Sequence, residues 1–193
     1  MRGITLTELL IATIVVGIIM LGVASSDFAV RKNTKNQSAG ALLTLNTRSI
    51  IEHISKNASM ATGMKNDQGF YNVTGAAVAA GNFCIRQDID ISGNFLNTSG
   101  DYNDDNWKCY TVAANNITTC IKSTANKANA CINTDNKYAS LGALTTATPS
   151  FSSTTDVFSV VIINHDQPSN ATTSVSNPGV TLTSQVVPSG HSI

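Results

Sequence analysis

The chain has 193 residues with twelve basic and twelve acidic side chains, so its formal net charge is zero and only 12% of its residues are charged. That balance excludes the basic field expected of a general nucleic-acid binder and leaves no acidic tail. The length suits one ordinary domain plus an extended anchor, and the polar surface has to come from Asn, Thr and Ser.

The first element is apolar. Residues 4–24 hold one charged side chain, Glu8, and their 21 positions nearly match the roughly 20 that a helix needs to cross a bilayer core. Arg2 on the short side favours keeping that end in the cytoplasm, with the bulk of the chain facing outward. A charge inside such a helix costs about 2.5–3.5 kcal/mol on insertion scales, so Glu8 marks a functional site by default. Its carboxylate can be answered by an amine freed at Ile4 on a neighbouring chain, by its own chain's amine one turn back, or by the headgroups.

Arg2, Gly3, Ile4 and Glu8 also carry a resemblance. A short basic leader, a glycine before the cut, an apolar first mature residue and a glutamate at its fifth position are the pattern of type IV prepilins and pseudopilins, which this N-terminus resembles over residues 2 to about 30. Ile4 stands where that superfamily most often has Phe. The resemblance implies that a prepilin peptidase cuts after Gly3 and methylates the new amine of Ile4. It also implies that Glu8 pairs with the N-terminus of a neighbouring subunit as a filament assembles. A conventional secretory signal is the rival reading, with Leu9 to Val23 as its apolar part and cleavage after Ala24. Glu8 at the start of the apolar run argues against it.

After Asp27 and Arg31, an acid-first i,i+4 pair, and Lys32, a helical period resumes. Leu43, Ile50, Ile54, Ala58 and Ala61, with Leu42 and Ile51 alongside, form one apolar face, and Gly63 is the expected stop. The expectation is a continuous helix over residues 4–62, about 90 Å long at 1.5 Å per residue, with its membrane half at 4–25. Gly17 and Gly22 are positions for bending or for close helix packing.

Beyond Gly63 the period shortens. A linker over 64–82 leads to alternation at Phe83, Ile85, Ile89 and Ile91 against Cys84, Arg86, Asp88 and Asp90, which predicts a strand with one polar face. Residues 109–113 and 117–122 read as a hairpin turning at Asn115 and Asn116. The run at 157–163 is expected to be the most buried strand, and Val180, Leu182 and Val186 mark a terminal one. The fold class expected is α+β, a long N-terminal helix packed on an antiparallel β-sheet head at 63–193 after a leader at 1–3. This layout is similar to that of the J-type pseudopilins and the W-type minor pilins.

Cys84, Cys109, Cys120 and Cys131 all lie in the head, an even count that implies two disulfides in an exported domain. Cys84 with Cys109 and Cys120 with Cys131 is favoured, since the second bridge would staple the polar loop at 121–130. Cys109 facing Cys120 across the hairpin stays open beside it. A zinc site lacks any Cys-x-x-Cys pair. Asp101, Asn103 and Asp105 alternate as calcium-loop ligands do, but Asn106 and Val112 occupy the places of the turn glycine and the bidentate glutamate. Calcium therefore stays a candidate cofactor of that loop and no other cofactor is expected.

His53, His165 and His191 have no neighbouring partner that suggests a triad or metal motif, and no phosphate loop, HExxH or nucleophile elbow occurs. The expectation is not an enzyme but a structural, minor subunit of a type IV pilus or type II secretion pseudopilus. By resemblance its partners are other pilin or pseudopilin subunits and the prepilin peptidase. It would be held single-pass in a bacterial inner membrane with its head in the periplasm, then placed in a periplasmic or extracellular filament. A tip-located adhesin, a DNA-uptake subunit and a major pilin are the alternatives.

Overall fold

A computed structural model describes residues 5–64, 69–78, 80–96, 101–167, 170, 173, 174 and 177–192. The longest element is helix α1, Leu6–Ser59, of 54 residues. The chain divides into two compact units, residues 1–39 and 40–193.

The first unit is helix throughout its described part after Thr5, and its apolar side chains are bare: Leu6 is 82% exposed, Ile14 54% and Leu21 73%. Its hydroxyls turn back on the helix, with Thr13 Oγ1 donating to the Leu10 carbonyl (2.9 Å), Ser25 Oγ to Gly22 (2.9 Å) and Thr34 Oγ1 to Val30 (3.0 Å). At Thr13 and Ser25 this local bonding satisfies the hydroxyl within the helix, which suits an apolar medium. Asp27 and Arg31 form the expected exposed pair at 2.8 Å.

The second unit holds the buried core. Strands β1 (Thr62–Met64), β2 (Phe70–Tyr71), β3 (Gly81–Gln87), β4 (Asn106–Ala113), β5 (Asn116–Lys122), β6 (Asn136–Ala143), β7 (Thr146–Ser152), β8 (Val157–His165), β9 (Gly179–Val186) and β10 (Gly190–Ser192) follow the helix. They form an antiparallel sheet β2-β3-β4-β5-β6, a second antiparallel sheet β7-β8-β9 and a parallel pair β1-β10. Ile50, Ile54 and Ala58 of α1 are buried among Phe83, Tyr110 and Ile117 of the first sheet and Phe158, Val160 and Ile162 of the second. Phe70 stacks on Phe151 (4.4 Å) and Phe158 (5.3 Å), tying the two sheets together. The α+β expectation is met, with two antiparallel sheets in place of one.

The helical stripe is where the period put it, extended by Thr47 and Asn57, while Leu42 lies off it and is 68% exposed. The helix stop is a correction. Gly63 sits in β1, and α1 ends at Ser59, where the Met60 and Ala61 amides bond back to Asn57 and Ala58 (3.3 and 3.1 Å). The Ser59 carbonyl is then capped from far away, by the Ser189 amide (2.9 Å) and hydroxyl (2.8 Å).

Three strand readings also change. β3 has no polar outer face, because Arg86 and Gln87 are buried as well as Phe83 and Ile85. The hairpin turns one residue earlier than read, at Ala114 and Asn115, whose φ values of 48° and 60° give the left-handed pair that matches strand twist. β8 alternates between half-buried and buried side chains, since it is central in a sheet with one open face. Missed altogether were β6 and β7, the latter containing Pro149. At Gly142 (φ 127°) an added Cβ would sit 2.7 Å from Asn46 Oδ1, so that glycine lets the helix approach β6.

Polar groups secure the last turns of α1. Gln87 Nε2 donates to the Asn57 carbonyl (2.8 Å), Asn57 Nδ2 to the His53 carbonyl (2.7 Å), and the Tyr110 hydroxyl lies 3.3 Å from His53 Nδ1. Burial, then the charges of Lys108 and Lys56, hold the His53 imidazole below its ordinary value. The unfolded chain therefore binds the proton more tightly, and this group's contribution to stability is present above about pH 6.5 and lost as pH falls through the lower folded value. Thermal melts below that pH are expected to show a falling Tm, and His53→Gln is expected to flatten that part of the profile.

Candidate functional site

Among the residues singled out in the sequence, Glu8 is placed most informatively. Gly3 and Ile4 lie outside the described residues. Thr5 is the N-cap of α1, and Glu8 Oε2 accepts from the Thr5 amide (2.9 Å) and hydroxyl (3.0 Å), while the Glu8 amide faces Thr5 Oγ1 at 3.4 Å. This is a capping box, in which cap residue and third helical residue satisfy each other's open donors. The sequence carried its signal, Thr5-Leu6-Thr7-Glu8, and the reading missed it by treating Glu8 as a charge alone. One carboxylate oxygen is thus held inside its own chain.

Around Glu8 the surface is apolar. A shallow groove of about 700 Å³ is lined by Glu8, Leu9, Ala12, Thr13 and Val16, and a second of about 540 Å³ by Ile19, Gly22, Val23, Ser26, Asp27 and Val30. Added Cβ atoms at Gly17 or Gly22 would meet nothing within 4 Å, so neither glycine is demanded by packing within the chain. By length and composition α1 can cross a membrane. Chemically, this segment offers apolar area, the tethered Glu8 acid and, at its far end, the Asp27–Arg31 pair.

Both favoured disulfides form. Cys84 joins Cys109 and Cys120 joins Cys131, with Cα separations of 4.0 and 5.7 Å. Cys84 is opposite Cys109, and Cys109 opposite Cys120, so the open alternative was geometrically reasonable. Cys120, Cys131 and Asp135 present ligand atoms within 4.8 Å of one another. Those sulfurs are already bonded, however, and Asp135 is paired with Lys122 at 2.7 Å.

The residues read as calcium ligands do not share one role. Asp101 Oδ1 accepts from the Asn103 amide (3.0 Å), while Asp105 turns inward to the Thr62 hydroxyl (2.6 Å) and Arg86 (3.8 Å). The Arg86 and Asp105 side chains are 5% and 1% exposed, and the guanidinium lies over Tyr102 (4.7 Å) and Trp107 (5.7 Å). Lys127 lies 4.2 Å from the Trp107 ring. Burial pushes the Asp105 carboxyl above its ordinary range; Thr62 and Arg86 pull it down and Asp88 and Asp104 push it up. Of the other histidines, His165 is buried between the Thr145 and Thr173 hydroxyls, each 3.1 Å away, and His191 pairs by its backbone with Gly63.

No family model, curated protein or solved structure matches this chain.

Proposed function

We propose that this chain is a structural subunit, a minor one, of a type IV pilus or type II secretion pseudopilus, assembled through α1 after cleavage behind Gly3. The observation that carries the reading is a bare apolar helix opening on one tethered carboxylate, Glu8, and leading into a head stapled by two disulfides. In a bilayer the apolar residues of the first unit are covered by lipid. In a filament the same side chains are covered by neighbouring helices, so the hydrophobic contribution is conserved while the medium changes. The Ile4 amine of the next subunit supplies a cation for Glu8, and that pairing sets the axial register. The bridges, each contributing about 2–4 kcal/mol, keep the head folded outside the cell.

N-terminal sequencing and intact mass of the exported protein test the reading. The expected product begins at Ile4 with a methylated amine and is recovered with membranes and with sheared fibres. A mature chain starting at Ser25, or fibres that retain Met1, Arg2 and Gly3, would remove the assignment.

A further inference from the structure

Lys137 is held where the backbone resists it. Its φ of 51° is a left-handed value uncommon for a long side chain, and the β5–β6 register steps by one residue around it, from Ile121 opposite Asn136 to Thr119 opposite Ala139. In an unbroken ladder Lys137 would stand opposite Cys120, on the face of the disulfides. The irregularity turns it to the other face: a Cβ placed on Gly93 would meet both Ile121 Cδ1 (2.8 Å) and Lys137 Cε (3.5 Å). Strain of this kind persists where the surroundings impose it, and it gathers at ligand sites.

Ile121 stands abreast of Lys108, on the sheet face that also carries Ile85 and Tyr110 of the core. Two residues along β4 on that face, the Tyr110 hydroxyl lies 3.3 Å from His53 Nδ1. Asn57 Nδ2 also approaches Nδ1 (3.5 Å), so the neutral ring carries its hydrogen on Nε2, which has no partner among the described residues. Lys108 is half-buried, and its ammonium, like those of Lys137 and Lys56, has no hydrogen bond or ion pair among the described residues. We propose that Lys108, Lys137 and His53, with Lys56 at the rim one helical turn beyond His53, form a binding site for a phosphate group. The site lies wholly in the second unit and stands without the filament reading.

The charges that bear on these groups are all positive. Burial and then Lys137 hold the Lys108 ammonium below its ordinary value, as burial, Lys108 and Lys56 do for His53. Acids on the surrounding elements are engaged elsewhere: Glu52 with Arg48 (2.7 Å), Asp135 with Lys122 (2.7 Å), and both oxygens of Asp90, in the loop of Gly93, with Asn94 (2.8 and 2.9 Å). A half-buried ammonium facing other cations is disfavoured until an anion answers it. A carboxylate would cancel a single charge of this set, whereas a phosphate dianion brings more charge and an acceptor oxygen for every donor, the His53 Nε2–H included.

The full chain in uncharged detergent micelles, titrated with inorganic phosphate at constant ionic strength and followed by NMR of its histidine and lysine side chains, tests this. Saturable shifts at His53 and Lys108 are expected at millimolar phosphate. The His53 titration midpoint should move up, since a bound anion offsets Lys108 and Lys56; the Tyr110 hydroxyl is the other titratable group against the ring. Lys108→Met and Lys137→Asn should each weaken binding on the order of tenfold or more, while Lys35→Gln, in the first unit, leaves it unchanged. Asparagine tolerates the left-handed conformation, so Lys137→Asn removes the charge and keeps the backbone. Phosphatidylglycerol added to the micelles is the second arm: a response to inorganic phosphate assigns a free ligand, and a response to the lipid alone assigns a headgroup. No saturation in either arm, equal shifts with sodium chloride, or unchanged binding in both lysine variants overturns the proposal. Should Lys108→Met fail to fold, Lys137→Asn decides.

Discussion

Glu8→Gln is expected to leave a folded, membrane-held chain that does not enter filaments. Glutamine keeps an oxygen that can accept from the Thr5 amide, so the capping box at the start of α1 survives; what disappears is the charge. On the proposed assembly, the incoming Ile4 ammonium would then have no counter-ion among apolar side chains. An ammonium left uncompensated in an apolar medium is strongly unfavourable, so incorporation is expected to fall on the order of 100-fold or more. Thr5→Ala makes the opposite cut, keeping the charge and removing a cap worth about 0.5–2 kcal/mol, and is expected to reduce assembly mildly. Recovery of subunits in sheared fractions, scaled to the membrane pool, reads both. Normal recovery of Glu8→Gln would leave Glu8 with no role but capping.

The largest expected loss of stability in the head comes from Arg86→Leu. Asp105 is 1% exposed at its side chain, and without the guanidinium it retains the Thr62 hydroxyl as its closest described donor. Breaking a buried pair from one side costs about 3–5 kcal/mol, much of the 5–15 kcal/mol typical of a whole domain. The variant also loses the stacking of Arg86 on Tyr102 and Trp107. Arg86→Leu with Asp105→Leu should recover much of the loss, because no uncompensated charge remains. The pH sign follows from Asp105. A carboxyl raised above its unfolded value contributes stability that is full below the unfolded pKa and is lost as pH rises through the folded one. Acidification should therefore narrow the gap between Arg86→Leu and the parent in thermal melts. A gap that is constant with pH, or a double variant as weak as the single, would refute this account of the pair.

Local periods explain what was legible in advance. The apolar run holding Glu8 needed only length and hydropathy. The stripe of Leu43, Ile50, Ile54 and Ala58 needed only a period near 3.6, and both survive in the fold. The hairpin was found because asparagines tolerate left-handed turns, and it slipped by one residue because Ala114 takes that conformation too. The Thr5 cap was equally local, written in Thr5-Leu6-Thr7-Glu8, where the same carboxylate serves as both charge and capping acceptor. β6 and β7 had no such signal. Asn136–Ala143 is mostly exposed, and Pro149 sits in an edge strand where a missing amide is tolerated.

Composition and period by themselves determined a membrane-length helix with a single acid, an amphipathic continuation, a strand-rich head and an even set of cysteines. Each of these is written in neighbouring residues, because hydrophobic burial and backbone preference act over one or two turns. Tertiary structure alone decided that Arg86 faces inward on Asp105, that Ser189 closes the helix at Ser59 across 130 residues of sequence, and that β8 is central between β7 and β9. Those outcomes depend on which polar groups are desolvated together, and desolvation is a property of packed layers with no periodic trace in the chain.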